Sequence, residues 1–218
     1  MESSYINKSP DLLAYQSICC GYLAEFNHRN VVSADQEGFQ RMHENLKIQG
    51  LAVPEEQLVD LYRSTQDQPS PWMVISDQVM GGVSSALLQQ DQRHNSICSC
   101  LTGRTSLDNN GGFVQMKLDI KPGELRADYK GLFIELYGNA HDYNLHVKTT
   151  QLNRPWQSFR CTLSLEPQWT RFIVPYEQLL AHRTDAELQP AEIRSVAIVA
   201  IGQAFDVDVC VRRLGFYR

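Results

Sequence analysis

The strongest constraint on the fold is a period-two alternation of apolar residues in the part of the chain that follows Trp72. Successive side chains of a β-strand point to opposite faces of a sheet, so such a run predicts a strand with one buried face. Four runs alternate cleanly, and they cover residues 131–137, 143–148, 158–163 and 205–211. Six weaker runs lie at residues 73–76, 85–89, 97–102, 113–118, 171–174 and 196–201. About ten short strands separated by turn residues predict a mostly β protein, an antiparallel β-sandwich.

One of these runs differs from the others because it is apolar on both faces. Residues 196–201 read Val-Ala-Ile-Val-Ala-Ile, and a strand without a polar face is typical of the centre of a sheet. We therefore predict a central strand here, packed under a helix that we expect at residues 176–182.

The first 65 residues have a helical pattern instead, with apolar residues three and four positions apart. This spacing places one apolar stripe along a helix predicted over residues 11–26. A second helix is predicted over residues 33–50, between a Ser cap and a Gly stop. A third is predicted to begin at Pro54, with three apolar residues on one side: Leu58, Leu61 and Tyr62.

These patterns divide the chain into three parts. We predict an acidic helical appendage over residues 1–65, a linker over 66–71 that contains no apolar residue, and a β-sandwich domain over 72–218. The apolar stripe of the appendage is expected to dock either on the sandwich or on a second copy of the chain. The second alternative predicts a homodimer that forms through the N-terminal helices.

The net charge of −5 resides in the appendage and the linker. Residues 1–70 hold 5 Lys or Arg and 10 Asp or Glu, whereas residues 71–218 hold 15 of each. A nucleic-acid binder is expected to carry a basic surface, so nucleic acid is not the expected partner. No apolar run approaches the roughly 18 to 20 residues that a bilayer span needs, so membrane insertion is not expected.

The N-terminus has neither the basic and apolar regions of a signal peptide nor the Arg-rich composition of a transit peptide. We therefore expect a cytoplasmic protein. Its six cysteines are expected to be small buried thiols rather than disulfides, because a chain of 218 residues can build a core without cross-links.

The densest local motif is Asp77-Gln-Val-Met-Gly-Gly-Val-Ser84, which lies between two predicted strands. It does not match the phosphate-binding glycine motifs. Two interpretations stay open: a tight loop in which Asp77 accepts hydrogen bonds from backbone amides, or a loop that binds a ligand or partner. The second interpretation makes five residues candidates: Asp77, Met80, Gly81, Gly82 and Ser84.

A second glycine motif, Asn109-Asn110-Gly111-Gly112, separates two other predicted strands. An Asn-Gly step between apolar runs is typical of a hairpin turn. Loops of a sandwich can also meet in space, and on that basis Asp77, Asn109 and Asn110 are predicted to line one rim.

Aromatic residues offer a further hypothesis. Tyr143 and Trp156, with Trp72 and Trp169, are expected either to anchor the core or to form a platform on which a sugar stacks. His141 and His146 are five residues apart, a spacing that does not favour metal binding on a strand. No hydrolase or metalloprotease motif is present, so we expect neither a cofactor nor a catalytic activity.

The order of these motifs resembles a known family. The double-glycine loop at Asp77–Ser84, the Asn110-Gly-Gly-Phe113 turn and the aromatic residues that follow, Tyr143, Trp156 and Trp169, are similar to the NADH:ubiquinone oxidoreductase intermediate-associated protein family (complex I intermediate-associated protein 30). The resemblance covers about residues 72–218. It departs from the family at Gly138-Asn139-Ala140, where many members have Gly-Asp-Gly.

The resemblance implies a galactose-binding-like jelly-roll domain, most simply that of a bacterial member. It implies a non-catalytic assembly factor or chaperone whose partner is a protein client, such as a subunit of a membrane-associated complex. A carbohydrate- or small-ligand-binding module is the alternative. The candidate binding residues of both hypotheses are Asp77, Met80, Gly81, Gly82, Ser84, Asn109, Asn110, Gly111, Gly112, Tyr143 and Trp156.

Overall fold

The computed structural model describes residues 52–121 and 123–218. The first two predicted helices, their apolar stripe and the dimer that they predict lie outside the described residues. Within the described ranges, no helix has the length and apolar character that crossing a membrane would take.

The described chain consists mainly of antiparallel strands joined by turns and short 3-10 segments. The strands are β1 (Leu58–Arg63), β2 (Met73–Ser76), β3 (Ser85–Arg93), β4 (Ser96–Arg104), β5 (Phe113–Asp119), β6 (Gly131–Gly138), β7 (Asp142–Thr149), β8 (Ser158–Ser164), β9 (Thr170–Pro175), β10 (Leu180–His182), β11 (Ile193–Ile201) and β12 (Asp206–Tyr217). All of the cleanly alternating runs and all of the weaker runs predicted from the sequence overlap one of these strands.

The strands form two six-stranded sheets that pack face to face. Sheet A has the order β3-β4-β12-β6-β9, and β1 also pairs with β12. Sheet B has the order β10-β8-β7-β11-β5-β2. This architecture is the predicted jelly-roll β-sandwich, with every strand pair antiparallel.

The core lies between the sheets and is built from the alternating residues that the sequence indicated. Leu132, Ile134 and Leu136 of β6 face Leu145 and Val147 of β7, and all five are fully buried. Burying one such side chain contributes about 1.5–3 kcal/mol, so a few of them weigh heavily in the stability of the sheet pair.

The third predicted helix is wrong. Glu55–Gln57 form a single 3-10 turn, and the residues that follow form β1, which pairs with the end of β12. The pairing shifts register between Asp60 and Tyr62, as at a β-bulge, so Leu61 and Tyr62 both pack on the core. This bulge interrupts the period of two and produces the helix-like spacing. The sandwich therefore begins at residue 58, inside the predicted appendage.

The helix expected at residues 176–182 is also wrong. Tyr176–Gln178 form a 3-10 turn, and Leu180–His182 form the edge strand β10 of sheet B. The prediction of a central strand is confirmed, since β11 lies between β7 and β5.

Two of the cysteines form a disulfide, contrary to the expectation of free thiols. Cys100 of β4 and Cys210 of β12 are directly opposite in the strand register, and they are bonded to each other. Cys98 and Cys161 are free. Cross-strand neighbours far apart in the sequence become visible only when the strand pairing is known.

The outer face of sheet A carries a network of charged side chains around Glu135. This carboxylate is almost fully buried and accepts hydrogen bonds from Arg171 at 2.6 Å and from Arg212 at 2.8 Å. Arg213 lies 3.5 Å from Glu135 and pairs with Glu55 at 2.6 Å. Burial alone raises the pKa of Glu135, but these guanidinium groups outweigh it and lower the pKa.

Candidate functional site

The two glycine motifs meet, and they do so around the carboxylate of Asp77. This side chain is fully buried between them. It accepts hydrogen bonds from the backbone N–H of Ser84 at 3.0 Å and from the Ser84 hydroxyl at 2.5 Å. On the other side it accepts hydrogen bonds from the backbone N–H of Gly112 at 2.6 Å and of Phe113 at 3.3 Å. The carboxylate thus joins the loop before β3 to the loop before β5.

The glycines make room for this arrangement. A Cβ atom on Gly82 would lie 2.3 Å from Cγ of Asp77, and one on Gly111 would lie 2.4 Å from Oδ2 of Asp77. Gly81 has a left-handed backbone with φ of 90° and open space around it. The motif therefore has the geometry of the first interpretation, a tight loop whose carboxylate is saturated by its own chain.

The predicted rim containing Asp77 is wrong because that residue is buried. Asn109 is exposed and donates a hydrogen bond from its side chain to the carbonyl of Gly81 at 3.4 Å, so the two loops do touch at the surface. Asn109 and Asn110 have left-handed backbones, with φ of 56° and 54°. The turn is not a hairpin, since β4 belongs to sheet A and β5 to sheet B.

Tyr143 belongs to the core and not to a binding surface. It is fully buried, and its hydroxyl donates a hydrogen bond to Asn139 at 2.6 Å and accepts one from the backbone N–H of Asp208 at 3.2 Å. Burial raises the pKa of this hydroxyl.

A cleft of about 240 Å³ lies on the outer face of sheet B, and we refer to it as the sheet B cleft. Its lining residues are Met80, Phe113, Gln115, His146, Lys148, Pro155, Trp156, Arg160, His182, Arg183, Val199 and Ile201. Two of the predicted site residues, Met80 and Trp156, are among them. The Asp77 loop thus contributes Met80 to one edge of the cleft.

Strand alternation places these side chains together. Leu145 and Val147 of β7 enter the core, so His146 and Lys148 project from the outer face. His146 is directly opposite Arg160 of β8, and it is also opposite Ala197 of β11. Arg160, His146 and Ala197 therefore form one row across the sheet, and the apolar residues of β11 form the floor of the cleft.

The cleft is electropositive. Three of its lining residues are Lys or Arg, and none is Asp or Glu. Lys148 donates a hydrogen bond to the carbonyl of Pro155 at 2.5 Å, and burial followed by repulsion from Arg194 and Lys117 lowers its pKa to about 8. Within the described residues, Arg160 has no carboxylate partner.

His146 has an unsatisfied atom at the base of the cleft. Its Nε2 is buried and makes no hydrogen bond with any residue that the structure describes. Burial, together with the positive charges of Arg160 and Lys148, lowers the pKa of His146 to about 3. The pKa of His182 is lowered as well, through burial and Arg160. Both rings are therefore mainly neutral near pH 7, and Nε2 of His146 is available as one donor or one acceptor.

A second cavity, of about 500 Å³, lies near the end of β12 and is lined by Lys130, Glu177 and Arg218 among other residues. Its charges are mixed, and none of the predicted site residues lines it. The sheet B cleft is the better candidate because predicted residues, an unsatisfied buried nitrogen and charge of one sign converge there.

Three sulfur atoms form a further cluster on sheet A. Those of Cys98, Cys100 and Cys210 lie within 4.8 Å of one another. Two of them share the disulfide, and burial raises the pKa of Cys98 to about 11. The cluster in this state has no thiolate to offer a metal.

Sequence reasoning missed most of the cleft: Gln115, His146 as a binding residue, Lys148, Arg160, His182 and Arg183. A usable signal was present. Residues 196–201 are apolar on both faces, so the outer face of this strand had to be covered or to form the floor of a site. The outward positions on β7 and β8 carry His, Lys and Arg, but strand order was needed to place them beside that floor.

The sequence matches the family model described as complex I intermediate-associated protein 30 over residues 61–209. The chain belongs to this family. The matched range includes most of the sandwich and excludes residues 1–60. The family resemblance noted for the glycine motifs is thereby confirmed. The hydrogen bonds that the two glycine loops donate to the Asp77 carboxylate, which we call the Asp77 cage, are a feature of the fold of this member. No curated protein matches the sequence.

Solved structures support the fold assignment of this family member. A family 11 carbohydrate-binding module of the cellulosomal cellulase Lic26A-Cel5E of Clostridium thermocellum superposes with a TM-score of 0.60 at 10% identity, covering 76% of this chain and 95% of the module. A family 30 module of the cellulase Cel9D-Cel44B from the same organism gives a TM-score of 0.52 at 11% identity, covering 73% and 96%. At these identities the likeness establishes the jelly-roll fold alone.

Proposed function

We propose that this protein is a non-catalytic binding protein that acts, like an assembly factor, on a protein client of a membrane-associated complex. The observation that carries this proposal is membership of the complex I intermediate-associated protein 30 family over residues 61–209. The sheet B cleft is the proposed client site. It combines an apolar floor, an aromatic wall and positive charge on one face, a composition suited to a protein segment.

The second candidate function is carbohydrate or small-ligand binding. It is favoured by Trp156 in the wall of the cleft, since an indole ring offers a flat face on which a sugar can stack. The solved relatives are described as carbohydrate-binding modules, and one was solved with a β-1,3-1,4-mixed-linked tetrasaccharide. The positive charge of the cleft favours this candidate less, because a neutral glycan can accept hydrogen bonds from Arg160 or Lys148 but gains no charge–charge attraction from them.

Client capture from native cells tests the proposal. The tagged full-length chain, expressed at its native level, is purified with its partners and analysed by mass spectrometry. Arg160→Glu reverses a charge in the cleft. Arg104→Glu reverses the charge of an exposed residue on sheet A, whose ion pair with Asp206 is a loose 3.7 Å, and is the matched control. Both variants must first melt like the parent protein.

We expect a client subunit in the parent and Arg104→Glu samples and a loss of that subunit from Arg160→Glu. Equal recovery by all three proteins would refute the cleft as the client site. Saturable binding to a glycan array by the parent protein, abolished by Trp156→Ala and without any captured protein, would favour the carbohydrate candidate instead.

A further inference from the structure

Within the part of the chain that the structure describes, no ion pair neutralises Lys148 or Arg160 of the cleft. Both residues are half-buried on the outer face of sheet B. Asp119 of β5 lies two strands away from Lys148 in the sheet register, and it pairs with Lys117 at 2.8 Å. Desolvated cations without a counter-charge raise the free energy of the unoccupied cleft, so an incoming anion gains more here than at an exposed lysine.

The arrangement of these cations matches one compact anionic group. Arg160 and His146 are cross-strand partners, and Lys148 is the next outward residue on the strand of His146. An arginine presents a planar set of donors that suits the two oxygens of a carboxylate. The buried Nε2 of His146 lies in the same row and has no hydrogen-bond partner among the residues 52–121 and 123–218. A carboxylate bound in this row would pair with the guanidinium group of Arg160 and accept a hydrogen bond from Nε2 of His146.

The rest of the cleft is apolar, and this restricts the body that carries the anion. Val199, Ile201 and Phe113 line the floor, with Met80 at the edge and Trp156 beside it. The volume of about 240 Å³ is enough for one or two side chains and too small for a folded domain. The chemistry indicates an acidic side chain with an apolar neighbour, as in an extended peptide segment.

We propose that the sheet B cleft recognises a carboxylate side chain, flanked by an apolar residue, on an extended segment of the client. This inference rests on the proposed function and names the chemistry of the segment that the client presents. Arg160 would pair with the carboxylate, Lys148 would add charge, and the apolar neighbour would pack on Val199 and Ile201.

The groups that face His146 set the behaviour of this row with pH. They are Arg160 of β8, Lys148 of its own strand, His182 of β10 and Lys117 of β5, and all of them are cations or neutral rings. A bound carboxylate is then the only negative charge next to His146 among these elements. The pKa of His146 is about 3, so this ring stays neutral between pH 8 and pH 6. Lys148, whose pKa is lowered to about 8, becomes more fully protonated over that range, so the affinity for the carboxylate should rise as the pH falls from 8 to 6.

Short capped peptides are the probe. The full-length chain labelled with ¹⁵N is titrated with acetyl-Leu-Glu-Leu-amide and, as the matched control, with acetyl-Leu-Gln-Leu-amide, at low ionic strength. We expect amide shifts in β7, β8 and β10 with the Glu peptide, and binding about tenfold weaker or undetectable with the Gln peptide. Arg160→Gln should weaken binding of the Glu peptide about tenfold, whereas Arg104→Gln should leave it unchanged.

Three results would overturn the inference. These are no shifts in the cleft at the solubility limit of the peptide, equal binding of the Glu and Gln peptides, or binding of an oligomer of an acidic sugar in the cleft when neither peptide binds.

The failure of this inference and the failure of the proposed function give different results. If Arg160→Gln retains the client from cells while Trp156→Ala loses it, the cleft binds the client without recognising a carboxylate. If both variants still recover the client from cells, the cleft is not the client site, and the proposed function would have to depend on another surface.

Discussion

The carboxylate of Asp77 lies 2.6 Å from the backbone N–H of Gly112, 35 residues further along the chain. This contact fastens the loop that enters sheet A to the loop that enters sheet B. The family motif is therefore explained by the closure of one end of the sandwich and needs no ligand. The binding site proposed here is the neighbouring cleft, to which the Asp77 loop contributes Met80.

Replacing Asp77 by Asn should destabilise the fold by about 2–3 kcal/mol. The amide keeps the shape but removes the charge, and its NH₂ group must face one of the N–H donors that now point at the carboxylate. Urea unfolding of the full chain measures the change. Asp108→Asn in the neighbouring loop is the control and should cost less than about 0.5 kcal/mol. Equal free energies of unfolding for Asp77→Asn and Asp108→Asn would show that the hydrogen bonds to Asp77 do not stabilise the fold.

Gly82→Ala should be more harmful than Gly81→Ala. A Cβ at residue 82 would lie 2.3 Å from Cγ of Asp77, whereas one at residue 81 meets no atom within 4 Å. Gly81→Ala should lower the free energy of unfolding by about 1 kcal/mol, because alanine adopts a left-handed backbone less readily than glycine. Gly82→Ala must displace Asp77 and should lower it by about 2 kcal/mol or more. Thermal melts of the two variants make the comparison. A lower melting temperature for Gly81→Ala than for Gly82→Ala would show that the left-handed φ, and not the close approach of Asp77, makes glycine necessary in this loop.

Removing the disulfide should lower stability without changing the fold. Cys100 and Cys210 are 110 residues apart, and a cross-link over a loop of this length contributes about 2–5 kcal/mol, mainly by restricting the unfolded chain. The double variant Cys100→Ala/Cys210→Ala should melt lower than the oxidised parent and close to the parent in reducing agent. An unchanged melting temperature in reducing agent would mean that the bond does not form in solution.

His146 should make the protein sensitive to acid. Its pKa is about 3 in the folded protein and near 6.5 in an unfolded chain, so between these values the unfolded state binds the extra proton. The free energy of unfolding should therefore fall as the pH drops from 6.5 towards 4. Substitution His146→Gln should flatten this dependence, and His94→Asn at an exposed turn should not. Identical pH profiles would contradict the burial of His146.

The fold was predictable from the sequence wherever one face of a strand is buried and the other is solvated. The alternation at residues 131–137 and 143–148 is of this kind, and both runs are strands. The alternation does not predict β1, because the register shift between Asp60 and Tyr62 breaks the period of two. It does not predict β10 either, because this edge strand has three residues and is too short to show a pattern.

The candidate site was less predictable because it depends on strand order. The sequence motifs located the Asp77 cage, whose partners sit in two recognisable glycine loops. The cleft residues His146 and Arg160 come from separate strands, and only the pairing of β7 with β8 places them opposite each other. Their burial, and so the altered pKa of His146, follows from neighbours on other strands that a linear pattern does not contain.

If the client contacts the sheet B cleft, site-specific photo-crosslinking in native cells should capture the client at that position. A photoreactive phenylalanine analogue replaces Gln115 in the cleft or, as the control, Gln92, which is exposed on β3 of sheet A. We predict a covalent adduct with one client subunit from position 115 and none from position 92. The absence of an adduct at position 115, or the same adduct from both positions, would show that the client does not bind in the cleft.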